Sequence, residues 1–270
     1  MISRTARFNT QIRIPNLKEK LTMNSPQRNA SIVVGASSGI GKATALHLAQ
    51  TGNRVVAIAR NPEALAECAR VAGTRFEPLA LDITADDAQS NLQVFLRDHN
   101  YAVKNLVYAA GVVKPIQPLL RSETSDLERH FATHVTGFLT LLRACESFWH
   151  NPARVIVVNS DSATTARVGW GLYCTSKAAL EMACRVLQLE LRESGVALAC
   201  VKPGPVSTSI VDAALSADPA DFPDREVFVH AKETGTLADP DQIAEFLAQL
   251  LENVAWDEFA SRDWDYRTDR

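Results

Sequence analysis

Short apolar segments alternate with longer amphipathic segments along most of this chain, and that alternation restricts the folds open to it. Residues 31–34 and 54–59 are apolar runs of strand length, and each is followed by a segment with helical periodicity. Strands that are apolar on both faces and separated by helices predict a parallel sheet covered on both sides. Right-handed crossovers then give a doubly wound sheet, in which ligands bind beyond the carboxyl ends of the strands.

The whole pattern predicts an α/β fold: one doubly wound parallel sheet of the Rossmann type, with helices on both faces. Strands are predicted over residues 31–34, 54–59, 75–80, 105–109, 154–159, 196–201 and 264–266. Helices are predicted over residues 40–51, 62–72, 86–99, 122–148, 169–194 and 239–251. Residues 203–237 are predicted to be irregular, and loops of this length often form lids over sites.

The chain is long enough for one domain with a full core, because 46% of its 270 residues are apolar. We assign residues 30–270 to that domain and residues 1–29 to a leader. The leader contains several arginines before its first acidic residue, Glu19, as an organelle transit peptide would. We interpret it instead as disordered or as a misassigned start, since Met23 offers an alternative start of translation.

Charge and cysteine content exclude several classes of function. A net charge of -3 and a pI of about 6.1 provide no general attraction to nucleic acid. No apolar run approaches the length that a membrane span requires. The five cysteines lack disulfide or metal-type spacing, so we expect reduced thiols, no metal and a cytoplasmic location.

A glycine-rich turn follows the first predicted strand and opens the first predicted helix. Glycine permits a tight turn there and lets the backbone approach a pyrophosphate, while the helix N-terminus provides free amides. An ordinary strand-to-helix turn is the alternative, but the position of this turn on the first strand indicates dinucleotide binding. The candidate cofactor-binding residues of the turn are Gly35, Ser37, Ser38, Gly39, Ile40 and Gly41.

The end of the second predicted strand indicates which dinucleotide is bound. A carboxylate there would bind the adenosine ribose and repel a 2′-phosphate, but this strand ends in Ala59 and is followed by Arg60. Because an arginine can bind that phosphate in a bidentate manner, we predict NADPH rather than NADH. Arg60 could also be a solvated surface residue. Asp82 follows the third strand and could accept from the adenine amino group or cap a helix.

Tyr173 and Lys177 are four residues apart in a predicted helix and therefore share one face. A phenol with a pKa of about 10 is a poor proton donor or acceptor at neutral pH. We expect the Lys177 ammonium, together with an oxidised nicotinamide, to lower the pKa of Tyr173. Ser160, at the end of the fifth strand, can hold a carbonyl oxygen by its hydroxyl. These three candidates predict proton transfer to a carbonyl as it receives a hydride.

In the order and spacing of these motifs the chain resembles short-chain dehydrogenases/reductases, from about Ala30 to the C-terminus. The resemblance implies that Ser160, Tyr173 and Lys177 are the catalytic residues and that Lys177 also binds the nicotinamide ribose. It further implies that the segment after the sixth strand holds the nicotinamide carboxamide, through the Val206 amide and the Thr208 hydroxyl. The remaining cofactor-binding residues that it implies are Ala110, Gly111, Pro203 and Gly204.

Residues 169–173 and 111–116 are similar to those of sepiapterin reductases and bacterial benzil reductases, as are residues 222–226 and 257–261. That branch implies NADPH-dependent reduction of vicinal dicarbonyls and related ketones. Trp170, Phe222 and Phe228 could line an apolar pocket for such substrates or simply pack against the fold.

The chain departs from the family pattern at two places. Tyr108 and Ala109 stand where the family usually has two asparagines, and His134 stands where it has a relay asparagine. His134 is a candidate catalytic residue that could hold a water near Lys177. We favour that role over the two alternatives, which are a broken relay and a structural histidine with satisfied hydrogen bonds.

The sequence therefore predicts an NADPH-dependent oxidoreductase that reduces a ketone or vicinal dicarbonyl to an alcohol, with Tyr173 as proton donor. The alternatives are an NAD-dependent alcohol dehydrogenase and a catalytically weak NADPH-sensing protein. A small carbonyl compound and further copies of the chain are the expected partners, the latter as a homodimer or homotetramer. Apolar residues beyond one helical stripe suggest burial between subunits: Leu139, Leu142, Phe148, Met182, Val186 and Leu189.

Overall fold

A computed structural model describes residues 27–270 and contains one seven-stranded parallel sheet with the order β3-β2-β1-β4-β5-β6-β7. The strands are β1 (Arg28–Val34), β2 (Val55–Ala59), β3 (Phe76–Ala80), β4 (Tyr101–Tyr108), β5 (Trp149–Val158), β6 (Val196–Lys202) and β7 (Trp264–Asp265). Strand order reverses between β1 and its neighbours β2 and β4, which pair with it on opposite edges. This reversal is the topological switch point, where ligands bind in doubly wound sheets. The predicted fold class is confirmed.

Helices connect the strands and cover both faces of the sheet. The longer ones are α1 (Gly39–Gln50), α2 (Pro62–Ala72), α3 (Ala88–Asp98), α4 (Thr124–Phe131), α5 (Gly137–Cys145), α6 (Gly171–Leu191), α7 (Ser209–Leu215), α8 (Arg225–Glu233) and α9 (Pro240–Glu252). Two one-turn helices, α10 (Trp256–Phe259) and α11 (Tyr266–Asp269), flank β7. No helix within residues 27–270 has the length and apolar character needed to cross a bilayer.

Alternating residues of each central strand enter two separate cores, one on each face of the sheet. In β1, Ile32 and Val34 pack into the core beneath α3, α5 and α6. Val33 points to the opposite face and packs with residues of α1, α2 and α9. Because both faces are covered, β1 and β2 consist almost entirely of small and branched apolar residues, as buried parallel strands do.

Residues at the helix starts explain several boundaries that the sequence predicts well. Asn61 accepts a hydrogen bond from the Ala64 amide (2.9 Å), and Pro62 occupies the first position of α2. Asp239 caps α9 in the same way and forms a reciprocal capping box with Gln242. These caps fix where each helix begins.

The structure corrects the predicted elements in three places. The predicted helix over residues 122–148 is interrupted by a π-helical turn, Ala132–Thr136, between α4 and α5. Residues 203–237 are not wholly irregular, because they contain α7 and α8. β1 begins at Arg28, so the last residues of the proposed leader belong to the sheet, while residues 1–26 lie outside the described part.

Candidate active site

A cavity of about 290 Å³ opens at the carboxyl ends of the strands, where the sheet topology requires a ligand site. Nearly every candidate residue from the sequence lines it, although they come from separate parts of the chain. These residues are Gly35, Ser37, Ser38, Gly39, Ile40, Arg60, Asp82, Ala110, Gly111, Ser160, Tyr173, Lys177, Pro203, Gly204, Val206 and Thr208. Gly41 and His134 are the two candidates that do not line it, and both lie directly behind its wall.

The glycine turn is packed too tightly for any larger residue. Gly35 has a φ of +81°, and a Cβ there would lie 2.9 Å from the backbone of Ala109 and Ala110. A Cβ on Gly41 would lie only 2.3 Å from the carbonyl oxygen of Gly35. Gly41 therefore supports the turn from beneath, and Ala109 provides a small neighbour where the family usually has an asparagine.

The N-terminus of α1 faces the cavity with its amides available. Ser38 is the N-cap residue in an extended conformation, and its side chain makes no capping hydrogen bond. No acidic side chain lies in the first turn of α1 to compete for those amides. A helix start of this kind binds phosphate, so the residues present fit the pyrophosphate of a dinucleotide.

At the other end of the cavity, Arg60 and Asp82 lie beyond the ends of β2 and β3. Arg60 is exposed, and its charge reaches Asp82. Asp82 accepts hydrogen bonds from the amide (2.9 Å) and hydroxyl (2.7 Å) of Thr84. Burial raises the pKa of the Asp82 carboxyl. The two hydrogen bonds from Thr84 and the charge of Arg60 together outweigh burial, so the pKa is lowered overall. One Asp82 oxygen thus caps the following turn, which is the capping role considered in the sequence analysis beside adenine binding.

Ser160 and Tyr173 meet in the centre of the cavity. Ser160 follows β5 in an extended conformation, and its Oγ accepts a hydrogen bond from the Ser162 amide at 3.2 Å. The Ser160 side chain lies near enough to Tyr173 to lower the pKa of its phenol. On α6, one turn after Tyr173, Lys177 donates from Nζ to the carbonyl oxygen of Val158 at 2.9 Å. The Ser160 and Tyr173 hydroxyls and the Lys177 ammonium therefore belong to residues that line one cavity.

The expectation that the lysine lowers the pKa of Tyr173 is not met in the protein alone. Burial raises the pKa of Tyr173 to about 12, and the nearby Ser160 side chain offsets that rise only in part. The Lys177 ammonium lies 5.8 Å from the centroid of the Tyr173 ring and is bound to Val158 instead. Tyr173 is thus held as a neutral phenol, which is the form that donates a proton.

Lys177 itself is buried (4% exposed), and burial lowers its pKa from 10.5 to about 8. Removing an ammonium from water with one backbone partner is unfavourable, and titratable groups perturbed in this way cluster at functional sites.

This shift leads to an expected pH dependence of stability. The folded pKa lies below the unfolded one, so the cost of burying the ammonium is full below pH 8 and disappears as the pH rises to about 10.5. The cost is about 3 kcal/mol at most. Relative to Lys177→Met, the wild-type protein without ligand should therefore gain about that free energy of unfolding between pH 7 and 10.5. Urea titrations of both proteins would measure it, and a constant difference over that range would contradict it.

His134 lies in the π-helical turn and is fully buried. Its Nε2 accepts a hydrogen bond from the Val112 amide (3.1 Å), so its Nδ1 donates to the Ser176 hydroxyl (2.8 Å). Burial, together with the nearby Lys177, lowers the pKa of His134 well below 6.5, so the ring is neutral. Both ring nitrogens bind protein groups, and the ring packs edge-on against Tyr173 at 5.7 Å. These contacts fit the structural interpretation of His134 better than the water-holding one, and its part in turnover stays a prediction.

The segment after β6 faces the glycine turn across the cavity. Gly204 has a φ of +71°, and Thr208 lies against Gly39, where a Cβ would come within 3.1 Å of the Thr208 methyl group. Arg267 from the C-terminal α11 packs on Gly204 and forms a bidentate ion pair with Asp161 (2.9 and 2.8 Å). The C-terminus therefore ties together the loops that follow β5 and β6.

An aromatic cluster forms the wall beside Tyr173. Trp170 and Phe228 line the cavity, and Phe222 stacks on Trp170 with ring centroids 5.0 Å apart. Trp170 packs edge-on against Tyr173 at 5.2 Å. Both predicted roles are therefore observed, since Trp170 and Phe228 line the site while Phe222 packs behind them.

Two charged cavity-lining residues were missed in the sequence, Asp161 and Arg167. Both lie in the loop between Ser160 and Tyr173, and their ion-pair partners are distant in sequence. Their position between two candidate catalytic residues is the only signal that the sequence offers for them.

Comparisons with known proteins agree with this geometry. A family model described as short chain dehydrogenase matches residues 29–218. The chain is 29% identical over 230 residues to a benzil reductase ((S)-benzoin forming) of Bacillus subtilis, covering 82% of this chain and 92% of that protein. It is 30% identical to an NADPH-dependent aldehyde reductase-like chloroplastic protein of Arabidopsis thaliana, covering 67% and 73%. A solved short-chain dehydrogenase/reductase from Saccharomyces cerevisiae superposes with a TM-score of 0.81 at 25% identity, covering 88% and 96%.

Proposed function

The chain belongs to the short-chain dehydrogenase family, and from that premise we propose that it is an NADPH-dependent reductase of ketones or vicinal dicarbonyls. The observation that carries the proposal is that Ser160 and the neutral phenol of Tyr173 lie close together in the lining of the cavity. A bound NADPH would supply the hydride. The glycine turn, Arg60, Lys177 and the segment around Val206 would hold it.

The residues of the chain perform the proton chemistry. A substrate carbonyl oxygen placed between Ser160 and Tyr173 would accept from both hydroxyls. As negative charge develops on that oxygen, Tyr173 transfers its proton and Ser160 continues to donate. Lys177, which already faces the phenol, would stabilise the resulting phenolate. The aromatic wall of Trp170 and Phe228 would keep water from the reacting atoms.

The activity is tested by following NADPH absorbance with a panel of diketones, quinones and aliphatic ketones. The benzil reductase relative supports vicinal dicarbonyls as the substrate class. Cofactor titration must accompany the assay. Tight NADPH binding without oxidation by any carbonyl would favour the sensing protein. Faster alcohol oxidation with NAD would favour the dehydrogenase.

Arg60 provides a test of cofactor preference. Its guanidinium is exposed at the adenosine end of the cavity, where a 2′-phosphate would lie in the proposed complex. A charge-assisted bond to phosphate contributes about 1.5–3 kcal/mol, so Arg60→Leu should raise the KM for NADPH about 10- to 100-fold. The KM for NADH should change less than about 3-fold, because NADH lacks that phosphate. Equal changes in both KM values would contradict NADPH preference.

We also propose that a second copy of the chain covers part of α6. Met182, Val186 and Leu189 lie on one side of this helix and are 57%, 46% and 78% exposed. Leu142, in contrast, is buried in the core of its own subunit and cannot serve such an interface. The exposed group supports a homodimer or homotetramer, and the absence of paired cysteines supports a cytoplasmic location.

A further inference from the structure

Arg167 is a charged residue of the cavity to which the mechanism above gives no role. It lies in the loop between Ser160 and Tyr173 and lines the cavity together with Trp170 and Phe228. Its charge is paired with Asp224, yet its guanidinium lies in the wall of the cavity next to two aromatic side chains, where it can also contact a ligand.

The other charged side chains of the cavity are already accounted for. Arg60 and Asp82 lie at the adenosine end, and Lys177 belongs to the catalytic group. Asp161 is held in the bidentate pair with Arg267. Both Asp161 oxygens are used in that pair, whereas Arg167 uses only Nη1 on Asp224 and keeps further N–H groups for a substrate.

The guanidinium of Arg167 has unused hydrogen-bonding capacity. Its side chain is only 23% exposed, and its Nη1 donates to the carboxylate of Asp224 at 2.5 Å. A guanidinium carries five N–H donors, and the other four have no acceptor within residues 27–270. These remaining N–H groups can donate to a ligand oxygen in the cavity that Arg167 lines.

The loop that carries Arg167 is held in a fixed conformation. The carbonyl oxygen of Arg167 accepts from the Trp170 amide at 3.2 Å. The carbonyl oxygen of Gly169 accepts from the Gln117 amide at 3.0 Å, and a Cβ on Gly169 would lie 2.3 Å from the Asp221 carbonyl oxygen. This packing positions the guanidinium in advance, which favours specific recognition.

The charge balance indicates which oxygen is bound. Asp224 already neutralises Arg167, and a substrate carboxylate beside that pair would be repelled by Asp224. A neutral carbonyl oxygen would accept the free N–H groups without that repulsion. We propose that Arg167 is a specificity-determining residue that binds the second, unreduced carbonyl oxygen of a vicinal dicarbonyl substrate. This inference rests on the proposed reductase function.

A matched pair of substrates tests the inference: 1-phenyl-1,2-propanedione and propiophenone share one skeleton and differ in the second carbonyl. We expect Arg167→Leu to lower kcat/KM for the dione about 10- to 100-fold, the effect of losing a charge-assisted hydrogen bond. For propiophenone, kcat/KM should change less than about 3-fold, because no second oxygen is lost. Arg167→Gln, which keeps a polar side chain of similar reach, serves if the leucine variant does not fold.

Asp224→Asn is the control for a merely structural ion pair. It retains the guanidinium but removes the charge partner, so the ratio of the two kcat/KM values should stay within about 3-fold of wild type. Phenylglyoxylate, which carries a carboxylate in place of the second ketone, tests the charge argument.

Three outcomes would overturn the inference. Equal losses on both ketones in the Arg167 and Asp224 variants would show that the pair only holds the loop. A larger loss on phenylglyoxylate than on the dione would show a carboxylate site. Wild-type protein that binds NADPH but reduces neither ketone would overturn the proposed function and this inference with it.

Discussion

Replacing Tyr173 by phenylalanine should lower carbonyl reduction by about 10³-fold or more, because the variant lacks the proposed proton donor. The ring remains, so its edge-on contacts with Trp170 (5.2 Å) and His134 (5.7 Å) are retained. We expect the affinity for NADPH to change less than about 3-fold, since general-acid catalysis acts on the transition state and not on cofactor binding. Steady-state kinetics and a fluorescence titration with NADPH would measure the two effects separately.

Tyr266→Phe is the matched control for that variant. Tyr266 is also buried, and its hydroxyl accepts a hydrogen bond from Arg270 (3.3 Å) within the C-terminal helix α11. The same atom is removed there, away from the cavity lining. Turnover should therefore stay near that of wild type. Unchanged turnover in Tyr173→Phe would remove the mechanism, and an equal loss in both variants would indicate a general effect on folding.

The periodicity of the sequence predicts most of the fold because it reports burial directly. β1 and β2 are apolar on both faces, and caps such as Asn61 mark the helix starts. The π-helical turn around His134 carries no such signal, since its residues could all continue an α-helix. The helices α7 and α8 were hidden in a proline-containing stretch, where tertiary packing of Phe228 and Val211 outweighs weak local propensity.

For the candidate site too, the sequence predicts some features and not others. Spacing alone places Tyr173 and Lys177 on one face of α6, and strand ends place Ser160 and Arg60 at the same edge of the sheet. The partners of Arg167 and Asp161 come from residues about 57 and 106 positions away. No local pattern encodes such pairs. The raised pKa of Tyr173 was also missed, because spacing gives proximity to Lys177 but not the burial that acts against it.

The second large effect is expected for Gly41→Ala, which should weaken NADPH binding about 10- to 100-fold. The new Cβ would lie 2.3 Å from the Gly35 carbonyl oxygen and 2.7 Å from its carbonyl carbon. Those atoms are backbone of the turn and cannot rotate away as a side chain would. Overpacking of this kind costs about 1–3 kcal/mol and forces backbone shifts, here in the residues that must approach the pyrophosphate. Fluorescence titration with NADPH measures the affinity, and urea unfolding measures the stability.

Gly52→Ala separates the effect on binding from the effect on stability, because Gly52 lies just beyond the other end of α1. Its φ is +100°, and a Cβ there would meet no atom within 4 Å. Alanine at a positive φ should destabilise the protein by about 1 kcal/mol, without disturbing the turn. NADPH affinity in Gly52→Ala should therefore equal that of wild type even if its stability falls as far as that of Gly41→Ala. Wild-type NADPH affinity in Gly41→Ala itself would show that the turn can widen without loss, and dinucleotide binding would then not depend on its tight packing.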